Sequence, residues 1–300
     1  MNYICVDAGG TKTKFVLYSE EGKILDQETL PSCHFMRVGY DGMTEILEEG
    51  FKILKDRHVE NDQDFMLSMG LAGYGREDRI RENIEIAIRN AFKNELYVLR
   101  NDIETAIEGA FSGGDGIMLI AGTGSIAYSK YQGMLKRSGG WGYLFGDEGS
   151  AYWLARKMLE IFSKEDDGRL TRTQLYDLLM ERLNLQHGHD LITYVRETLG
   201  ERREDIAKLA QIIYEAAQMG DPEALKIYDE GAKELAELVI ASSKDTEGEI
   251  EVAVFGGVFE AKELILQPLR KYLPERFQLI MPKAPPEYGA FLLARKHQKK

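Results

Sequence analysis

The sequence predicts an α/β protein made of two similar units, each with a mixed sheet covered by helices. Strands and helices alternate through the first 111 residues in the order β-β-β-α-β-α-β-α. At residue 116 a strand-turn-strand-turn-strand pattern starts again, with a second Gly/Thr-containing turn between its first two strands. This repetition indicates a duplication. Because no low-complexity linker separates the halves, we expect a cleft with a hinge between them.

In the first half, apolar runs bounded by glycine-containing turns predict strands, and apolar residues at helical spacing predict helices. The predicted strands are residues 2–8, 14–19, 24–29, 65–71 and 96–100. The predicted helices are residues 43–55, 79–92 and 103–111.

In the second half the same signals predict strands at residues 116–121, 126–131, 134–137, 250–255 and 278–281. The stretch from 150 to 244 is almost entirely helical in pattern, with breaks near 166–168, 187–189 and 220–222. Two further helices are predicted at 262–271 and 287–297. Within the long helical stretch, the charged run Glu201–Asp205 is typical of a solvated helix face.

Composition excludes several classes of protein. Of the 300 residues, 44% are hydrophobic and 29% are charged, as in ordinary globular proteins. The net charge of −12 argues against a nucleic-acid groove, which needs a basic stripe. With Cys5 and Cys33 as its two cysteines, the chain has neither a disulfide scaffold nor a four-cysteine zinc site. It has no basic leader and no long apolar run, so we expect a cytoplasmic protein that binds neither membranes nor nucleic acid.

The segment Ser138–Ala155 carries the most informative pattern. Its first part, named here the glycine-rich loop (Ser138–Gly149), has too many glycines for a stable helix, whereas a helical pattern begins at Ser150. Asp147 and Glu148 stand in the loop, just ahead of the helix. Carboxylates beside exposed backbone donors can hold a small, hydroxyl-rich ligand. The alternative is a tight turn in which Asp147 or Ser150 caps the helix.

A glycine-containing turn after the first strand is a candidate for binding phosphate. This first glycine hairpin (Gly9–Thr13) offers backbone N–H groups, hydroxyls and the charge of Lys12, and Asp7 before it is suited to holding Mg²⁺. It is not a Walker A loop, because GxxxxGK[ST] is absent and a strand follows. The alternative is a plain glycine-rich hairpin with a capping aspartate.

The second glycine hairpin (Gly122–Ser125) could be read with Ala127 as a dinucleotide-binding fingerprint. That fingerprint must open a helix, whereas residues 126–131 are strand-like, so a second phosphate-binding hairpin fits better. Gly256 and Gly257 end a later strand, where paired glycines could let an adenine lie against the backbone. A plain strand-to-helix turn is the alternative there.

Asp102 directly follows a predicted strand and directly precedes a predicted helix. It could cap that helix. It could also be a general base that accepts the proton of an attacking hydroxyl in phosphoryl transfer. The position alone does not decide, but two phosphate-type hairpins and the glycine-rich loop in the same chain favour the base.

Five segments, taken in order, resemble the N-acetylglucosamine kinases of the BadF/BadG/BcrA/BcrD branch of the sugar kinase, Hsp70 and actin superfamily. They are residues 7–13, 101–102, 121–125, 140–151 and 255–258. The resemblance implies an α/β fold of two duplicated actin-like (ribonuclease H-like) domains, with mixed sheets flanked by helices and a cleft between them. The implied bounds are 1–105 for the N-terminal domain, 106–286 for the C-terminal domain, and 287–300 for a closing helix that packs back on the first domain. Such an enzyme phosphorylates an amino sugar at its 6-hydroxyl with ATP and Mg²⁺, and we expect a homodimer.

The resemblance also implies roles for individual residues. Asp102 would be the base, Asp7 would lie near Mg²⁺, and Asp147 would bind ring hydroxyls. The other sugar-binding positions would be His34, Gly140, Trp141 and Gly142. The phosphates would be held by Gly9, Gly10, Thr11, Lys12, Thr13, Gly122, Thr123 and Gly124, and the adenosine by Gly256 and Gly257.

One segment departs from this family. Eukaryotic members carry an Asn-His-Trp type stretch near the position of Ser32, and its asparagine contacts the sugar, whereas this chain has Ser32–Met36 with His34. N-acetylglucosamine is the expected substrate, with N-acetylmuramic acid, glucosamine and glucose as alternatives. A rival function is an ATPase activator of a dehydratase or reductase, whose iron–sulfur cluster takes two cysteines from each subunit. Cys5 in a strand and Cys33 in a distant loop are a poor pair for that cluster.

Overall fold

Two five-stranded mixed sheets with the same topology form the framework of the protein. The structure, a computed structural model, describes residues 1–58, 64–75 and 77–298. The chain divides into two compact units. Unit 1 is Met1–Gly114 with the C-terminal segment from Pro282, and unit 2 is Asp115–Met281.

The sheet of unit 1 has the strand order β3-β2-β1-β4-β5. Its strands are β1 (Asn2–Ala8), β2 (Lys12–Tyr18), β3 (Ile24–Pro31), β4 (Phe65–Leu71) and β5 (Leu96–Asn101). The first three form an antiparallel meander, and β4 and β5 run parallel to β1. The helices that accompany them are α1 (Phe35–Arg57), α2 (Asp78–Ala91) and α3 (Asp102–Ala110).

Unit 2 repeats this arrangement with the strand order β10-β9-β6-β7-β8. Its strands are β6 (Gly116–Ala121), β7 (Ser125–Tyr131), β8 (Met134–Gly139), β9 (Ile250–Phe255) and β10 (Phe277–Ile280). Again the first three are antiparallel and the last two run parallel to the first, which confirms the predicted duplication. The helices of unit 2 are α4 (Ala151–Asp166), α5 (Gln174–Arg182), α6 (Asp190–Thr193), α7 (Arg203–Lys208), α8 (Ala210–Gln218), α9 (Pro222–Ser242) and α10 (Glu263–Tyr272).

The C-terminal helix α11 (Pro286–Gln298) packs on the sheet and on α3 of unit 1. The hydroxyl of Ser68 in β4 donates to the carbonyl of Ala290 at 2.7 Å. Gly289 lies against the backbone of α3, where a Cβ atom would collide with the carbonyl of Thr105. The two helices therefore cross at a distance that only glycine allows. The units divide at residues 114 and 281, whereas the sequence placed the boundaries at 105 and 286. Residue 105 lies inside α3, which stays in unit 1 because it packs against α11.

Most predicted elements agree with the structure to within a few residues, and the largest difference is the start of α1. The helix begins at Phe35 and not at residue 43. Gly39 has a φ of 73°, which kinks α1 and separates its first turn from the amphipathic part that the sequence pattern detected. Among the described residues, no helix combines the length and the apolarity that a membrane span requires.

Candidate active site

Two acidic residues of unit 1 lie at one edge of its sheet, where the parallel strands β1, β4 and β5 end. Asp7 is the second-last residue of β1, and Asp102 follows β5 as the first residue of α3. The carboxyl ends of parallel strands are the usual place for ligand sites in α/β sheets. This edge therefore brings together the candidate base and the candidate metal carboxylate.

Asn101, and not Asp102, caps α3. The side-chain oxygen of Asn101 accepts a hydrogen bond from the N–H of Ile103 at 2.9 Å, and its amide nitrogen donates to the carbonyl of Tyr74 at 2.9 Å. Oδ1 of Asp102 shares the same N–H at 3.0 Å. Among the described residues, no side chain donates a hydrogen bond to the Asp102 carboxylate. Capping therefore does not account for Asp102.

The pKa of Asp102 is raised, and burial is the main cause. Hydrogen bonds from the backbone N–H groups of Asp102 and Ile103 oppose the rise, as does the nearby His34. A carboxylate with a raised pKa is a stronger proton acceptor, which suits a general base that works near neutral pH.

His34 lies beside the loop that follows β4. Its Nδ1 accepts a hydrogen bond from the N–H of Met36 at 3.3 Å at the start of α1, which favours the tautomer with a proton on Nε2. A Cβ atom built on Gly73 would lie 3.2 Å from that Nε2. The ring also stacks on Phe35, with centroids 5.2 Å apart. His34 thus presents a donor next to the edge that carries Asp102.

The first glycine hairpin is open at its tip and anchored at its base. Gly10, Thr11 and Lys12 are exposed. The guanidinium of Arg37 donates to the carbonyl of Gly10 at 2.6 Å, a cation on this hairpin that sequence reasoning missed. Thr13 differs from its expected role: it is fully buried, its hydroxyl donates to the carbonyl of Pro31 and accepts from the N–H of Cys33. That hydroxyl therefore anchors the hairpin, and its proton is already donated to Pro31.

Burial raises the pKa of Asp7 to about 7, and the charges of Glu287 and Asp102 add to the rise. Lys14 and Lys12 oppose it. Lys14 stands opposite Asp7 in the β1–β2 ladder and forms an ion pair with Glu287 at 2.7 Å. The excess of negative charge at this point is what a divalent cation would compensate. Among the described residues, no three His, Cys, Asp or Glu side chains converge as an all-protein metal site, and Mg²⁺ typically takes one or two carboxylates together with phosphates and water.

The second glycine hairpin joins β6 to β7 in unit 2, so no helix follows it and the dinucleotide fingerprint is excluded. The N–H of Gly122 donates to the carbonyl of Gly124 at 2.9 Å. A Cβ atom at Gly122 would meet nothing within 4 Å, so this backbone is accessible to a ligand. Thr123 is half-buried at the tip between the two glycines.

The glycine-rich loop turns through several residues with positive φ. Gly140 and Gly142 have φ of 69° and 88°, which favours glycine there. Trp141 between them is 66% exposed, and the guanidinium of Arg137 lies 5.0 Å from the centroid of its ring. An exposed indole in a rigid turn is suited to stacking on the apolar face of a ligand.

Asp147 is buried in this loop, with 3% of its surface exposed. Its Oδ2 pairs with Nη2 of Arg203 at 2.8 Å, and its Oδ1 accepts from the N–H of Ser125 at 3.3 Å. Ser150 caps α4 by accepting from the N–H of Trp153, so the capping alternative for Asp147 falls away. Asp147 has a φ of 60°, a conformation that aspartate tolerates better than most residues.

The position of Arg203 shows that the prediction for the charged run Glu201–Asp205 is partly wrong. The run Glu201–Asp205 was expected to be a solvated helix face, and Glu201 and Arg202 are indeed exposed. Arg203, however, turns inward to the Asp147 carboxylate. A run of mixed charges gives no sign of which member finds a buried partner.

A cavity of about 580 Å³ lies beside the turn that carries Gly256 and Gly257. Gly256 has a φ of 102°, and a Cβ atom there would lie 2.6 Å from the carbonyl carbon of Ala121, so the turn fits tightly against the second glycine hairpin. Residues that line the cavity include Lys208, Gln211, Tyr214, Glu215, Gly257 and Val258. Sequence reasoning found the glycines and missed the side chains from α7 and α8, whose helical spacing is that of an ordinary packed helix.

Both thiols are buried. Cys5 lies in the middle of β1, where burial raises its pKa well above the ordinary value, and Cys33 follows β3. Neither is presented on the surface, as a cluster shared by two subunits would require. This burial weighs against the rival function of an ATPase activator.

Comparison with known proteins agrees with these observations. The sequence profile of the BadF/BadG/BcrA/BcrD ATPase family matches residues 4–294. The N-acetyl-D-glucosamine kinase of Dictyostelium discoideum is 29% identical, with 97% of each chain covered. The N-acetylmuramic acid/N-acetylglucosamine kinase of Clostridium acetobutylicum is 28% identical over 98% of this chain and 99% of its own length. A solved structure from Chromobacterium violaceum, named as a candidate N-acetylglucosamine kinase, shares the fold with a TM-score of 0.70 at 24% identity over 98% of each chain. The chain therefore belongs to the BadF/BadG/BcrA/BcrD ATPase family and has the fold of the actin-like sugar kinases.

Proposed function

We propose that the protein is an ATP-dependent amino-sugar kinase that phosphorylates N-acetylglucosamine at its 6-hydroxyl. The single observation that carries the proposal is the placement of Asp102. This half-buried carboxylate lies where the parallel strands of the sheet end, its pKa is raised, and its neighbour Asn101 caps α3. The full-length similarity to two amino-sugar kinases supports the substrate class.

In the proposed reaction the oxygen of the sugar 6-hydroxyl attacks the γ-phosphorus of ATP. Asp102 accepts the proton that this hydroxyl loses. The bond between that phosphorus and the bridging oxygen breaks, and ADP leaves with the electron pair. Backbone N–H groups of the two glycine hairpins, with Lys12 and Arg37 on the first, would neutralise the phosphate charge. Catalysis of this type depends mainly on positioning and charge neutralisation.

Mg²⁺, when bound, would supply positive charge that offsets the negative charge of the phosphates. Asp7 is the residue that would hold it, directly or through water. The raised pKa of Asp7 supports this role, because a carboxyl crowded by other acids is stabilised as a carboxylate by a cation.

The cavity beside Gly257 is our candidate for the adenosine of ATP. It combines an apolar wall, which includes Val258 and Tyr214, with polar groups such as Gln211 and Lys208. A concave apolar site with a few polar groups at its edge is typical of nucleotide pockets.

On the sugar side, we assign Asp147 to ring hydroxyls and Trp141 to the apolar face of the ring. His34 would donate from Nε2 in place of the asparagine of the eukaryotic members. N-acetylmuramic acid is the second candidate substrate, because a relative that is 28% identical is named for both sugars.

The test is ADP release by the purified protein with Mg²⁺ and ATP, measured against N-acetylglucosamine, N-acetylmuramic acid, glucosamine, N-acetylmannosamine and glucose. The proposal expects release that depends on one or two amino sugars. Release without any sugar dependence would contradict it and would favour an ATPase activator. Gel filtration of the same preparation tests the expected homodimer.

A further inference from the structure

Arg203 is the point where three segments of unit 2 meet. Its Nη2 holds the Asp147 carboxylate of the glycine-rich loop at 2.8 Å. The same carboxylate accepts the N–H of Ser125 at the second glycine hairpin. The guanidinium carbon also lies 5.9 Å from the centroid of the Tyr143 ring, so a second residue of the loop contacts it.

The backbone of the hairpin lies directly against this ion pair. A Cβ atom at Gly124 would collide with Nη2 of Arg203 and would lie 2.9 Å from both carboxylate oxygens of Asp147. Gly124 is therefore required here because of the close approach of the two charged groups. The ion pair thus lies against the hairpin backbone and is joined to it by the hydrogen bond from the N–H of Ser125 to Asp147.

The ion pair is mostly withdrawn from solvent, and one of its donors is unused. The exposed fraction is 28% for the Arg203 side chain and 5% for that of Asp147. Within the described part of the chain, the buried Nε of Arg203 has no hydrogen-bond partner. Burying a donor without a partner costs free energy. A ligand that offered an acceptor to Nε would therefore favour a shift of the guanidinium.

The helix that begins at Arg203 also lines the candidate adenosine cavity. Ala207 and Lys208, one turn further along α7, are part of its wall. Residues four apart lie on the same side of a helix. One end of α7 thus contacts the loop assigned to the sugar, and the other end contacts the cavity assigned to the nucleotide.

We propose that Arg203 is a positioning residue that couples sugar binding to nucleotide binding. It fixes the Asp147 carboxylate against the second glycine hairpin, and α7 carries any displacement of that carboxylate to the adenosine cavity. This inference rests on the proposed kinase function, since it assumes that Asp147 binds the sugar and that the cavity binds ATP.

The experiment measures the dissociation constant of a non-hydrolysable ATP analogue with Mg²⁺, with and without saturating N-acetylglucosamine. For the wild-type protein we expect the sugar to tighten the analogue at least fivefold, at the low end of the coupling usually found between two sites. For Arg203→Met we expect this factor to fall to about one, and the sugar dissociation constant to rise about tenfold or more. Arg203→Lys, which keeps the charge and loses the planar fork, should lie between the two.

Arg202→Gln is the matched control, because Arg202 is the neighbouring arginine, is exposed, and pairs with Asp205 on the surface of α7. It should keep the wild-type coupling. If Arg203→Met does not fold, Arg203→Lys provides the same comparison, and the double variant Asp147→Asn with Arg203→Met removes both buried charges together. Circular dichroism and melting curves establish that each variant is folded.

The outcomes separate the two proposals. A wild-type protein that binds neither ligand would overturn the proposed function, and the coupling with it. A wild-type protein that binds both ligands without coupling, or an Arg203→Met variant that matches Arg202→Gln, would overturn the role of Arg203 alone.

Discussion

Asp7→Asn should make the protein more stable above neutral pH. The ordinary pKa of aspartate is 3.8, and burial beside Glu287 and Asp102 raises that of Asp7 to about 7. Between these two values the native carboxyl keeps a proton that the unfolded chain has released. The native state then binds more protons than the unfolded state, so the free energy of unfolding falls as the pH rises from about 4 to about 7. Asparagine does not titrate and avoids this loss.

The size of the effect follows from the shift. At about 1.4 kcal/mol per pKa unit, a rise from 3.8 to about 7 corresponds to about 4 kcal/mol of lost stability above pH 7. Asp7 is only half-buried, and solvent screening reduces this value, so we expect about 2 kcal/mol. Asp7→Asn should therefore exceed the wild-type protein by about 2 kcal/mol at pH 8, and the difference should shrink as the pH falls and vanish below about pH 4, where the carboxyl is protonated in both the native and the unfolded state.

Urea unfolding with EDTA at pH 4, 6 and 8, followed by circular dichroism, measures this difference. Asp41→Asn, on the exposed side of α1, is the control for loss of a carboxylate at the surface. A wild-type protein as stable as Asp7→Asn at pH 8, or a difference that does not change with pH, would refute the reasoning. Adding Mg²⁺ with ADP should stabilise the wild-type protein more than the variant, which tests the metal assignment without an activity assay.

Three further changes test the site. Asp102→Asn should lower kcat by about 10² to 10⁴ while the affinity for ATP stays within about twofold, because only the base is lost; near-normal turnover would remove Asp102 from the mechanism. Asp147→Asn keeps a residue that tolerates positive φ and removes the charge opposite Arg203. Steady-state kinetics should then show a raised KM for the sugar with a smaller change in kcat. An unchanged KM would mean that the glycine-rich loop is purely structural. Gly256→Ala should lower the free energy of unfolding in urea by about 2 kcal/mol or more and weaken ATP binding. The new Cβ would collide with the backbone of Ala121, and a φ of 102° is unfavourable for alanine. A variant as stable as the wild-type protein would show that the turn can relax.

The strands and both glycine hairpins could be predicted because apolar runs ending in glycine are local signals. Which of Asn101 and Asp102 caps α3 could not be predicted, since both residue types cap helices. Both side chains accept the N–H of Ile103, and the second bond of Asn101, to the carbonyl of Tyr74, distinguishes them. Thr13 was assigned to phosphate from its motif, although the pairing of β2 with β3 turns its hydroxyl towards Pro31. Such outcomes depend on register and packing between distant segments, which the local pattern does not contain.

The duplicated sheets also show that one hairpin form carries different side chains in the two units. In unit 1 the pair one step before the turn is Asp7 opposite Lys14, and the corresponding pair in unit 2 is Ile120 opposite Ile126. The charged pair places a carboxylate at the strand end, where a cation can reach it. The apolar pair instead supports the glycine-rich loop, since Gly140 lies directly against the Ile126 side chain. The two hairpins share a backbone form, and at this one pair of positions unit 1 carries the carboxylate that we propose for the metal, whereas unit 2 carries an apolar support for the glycine-rich loop.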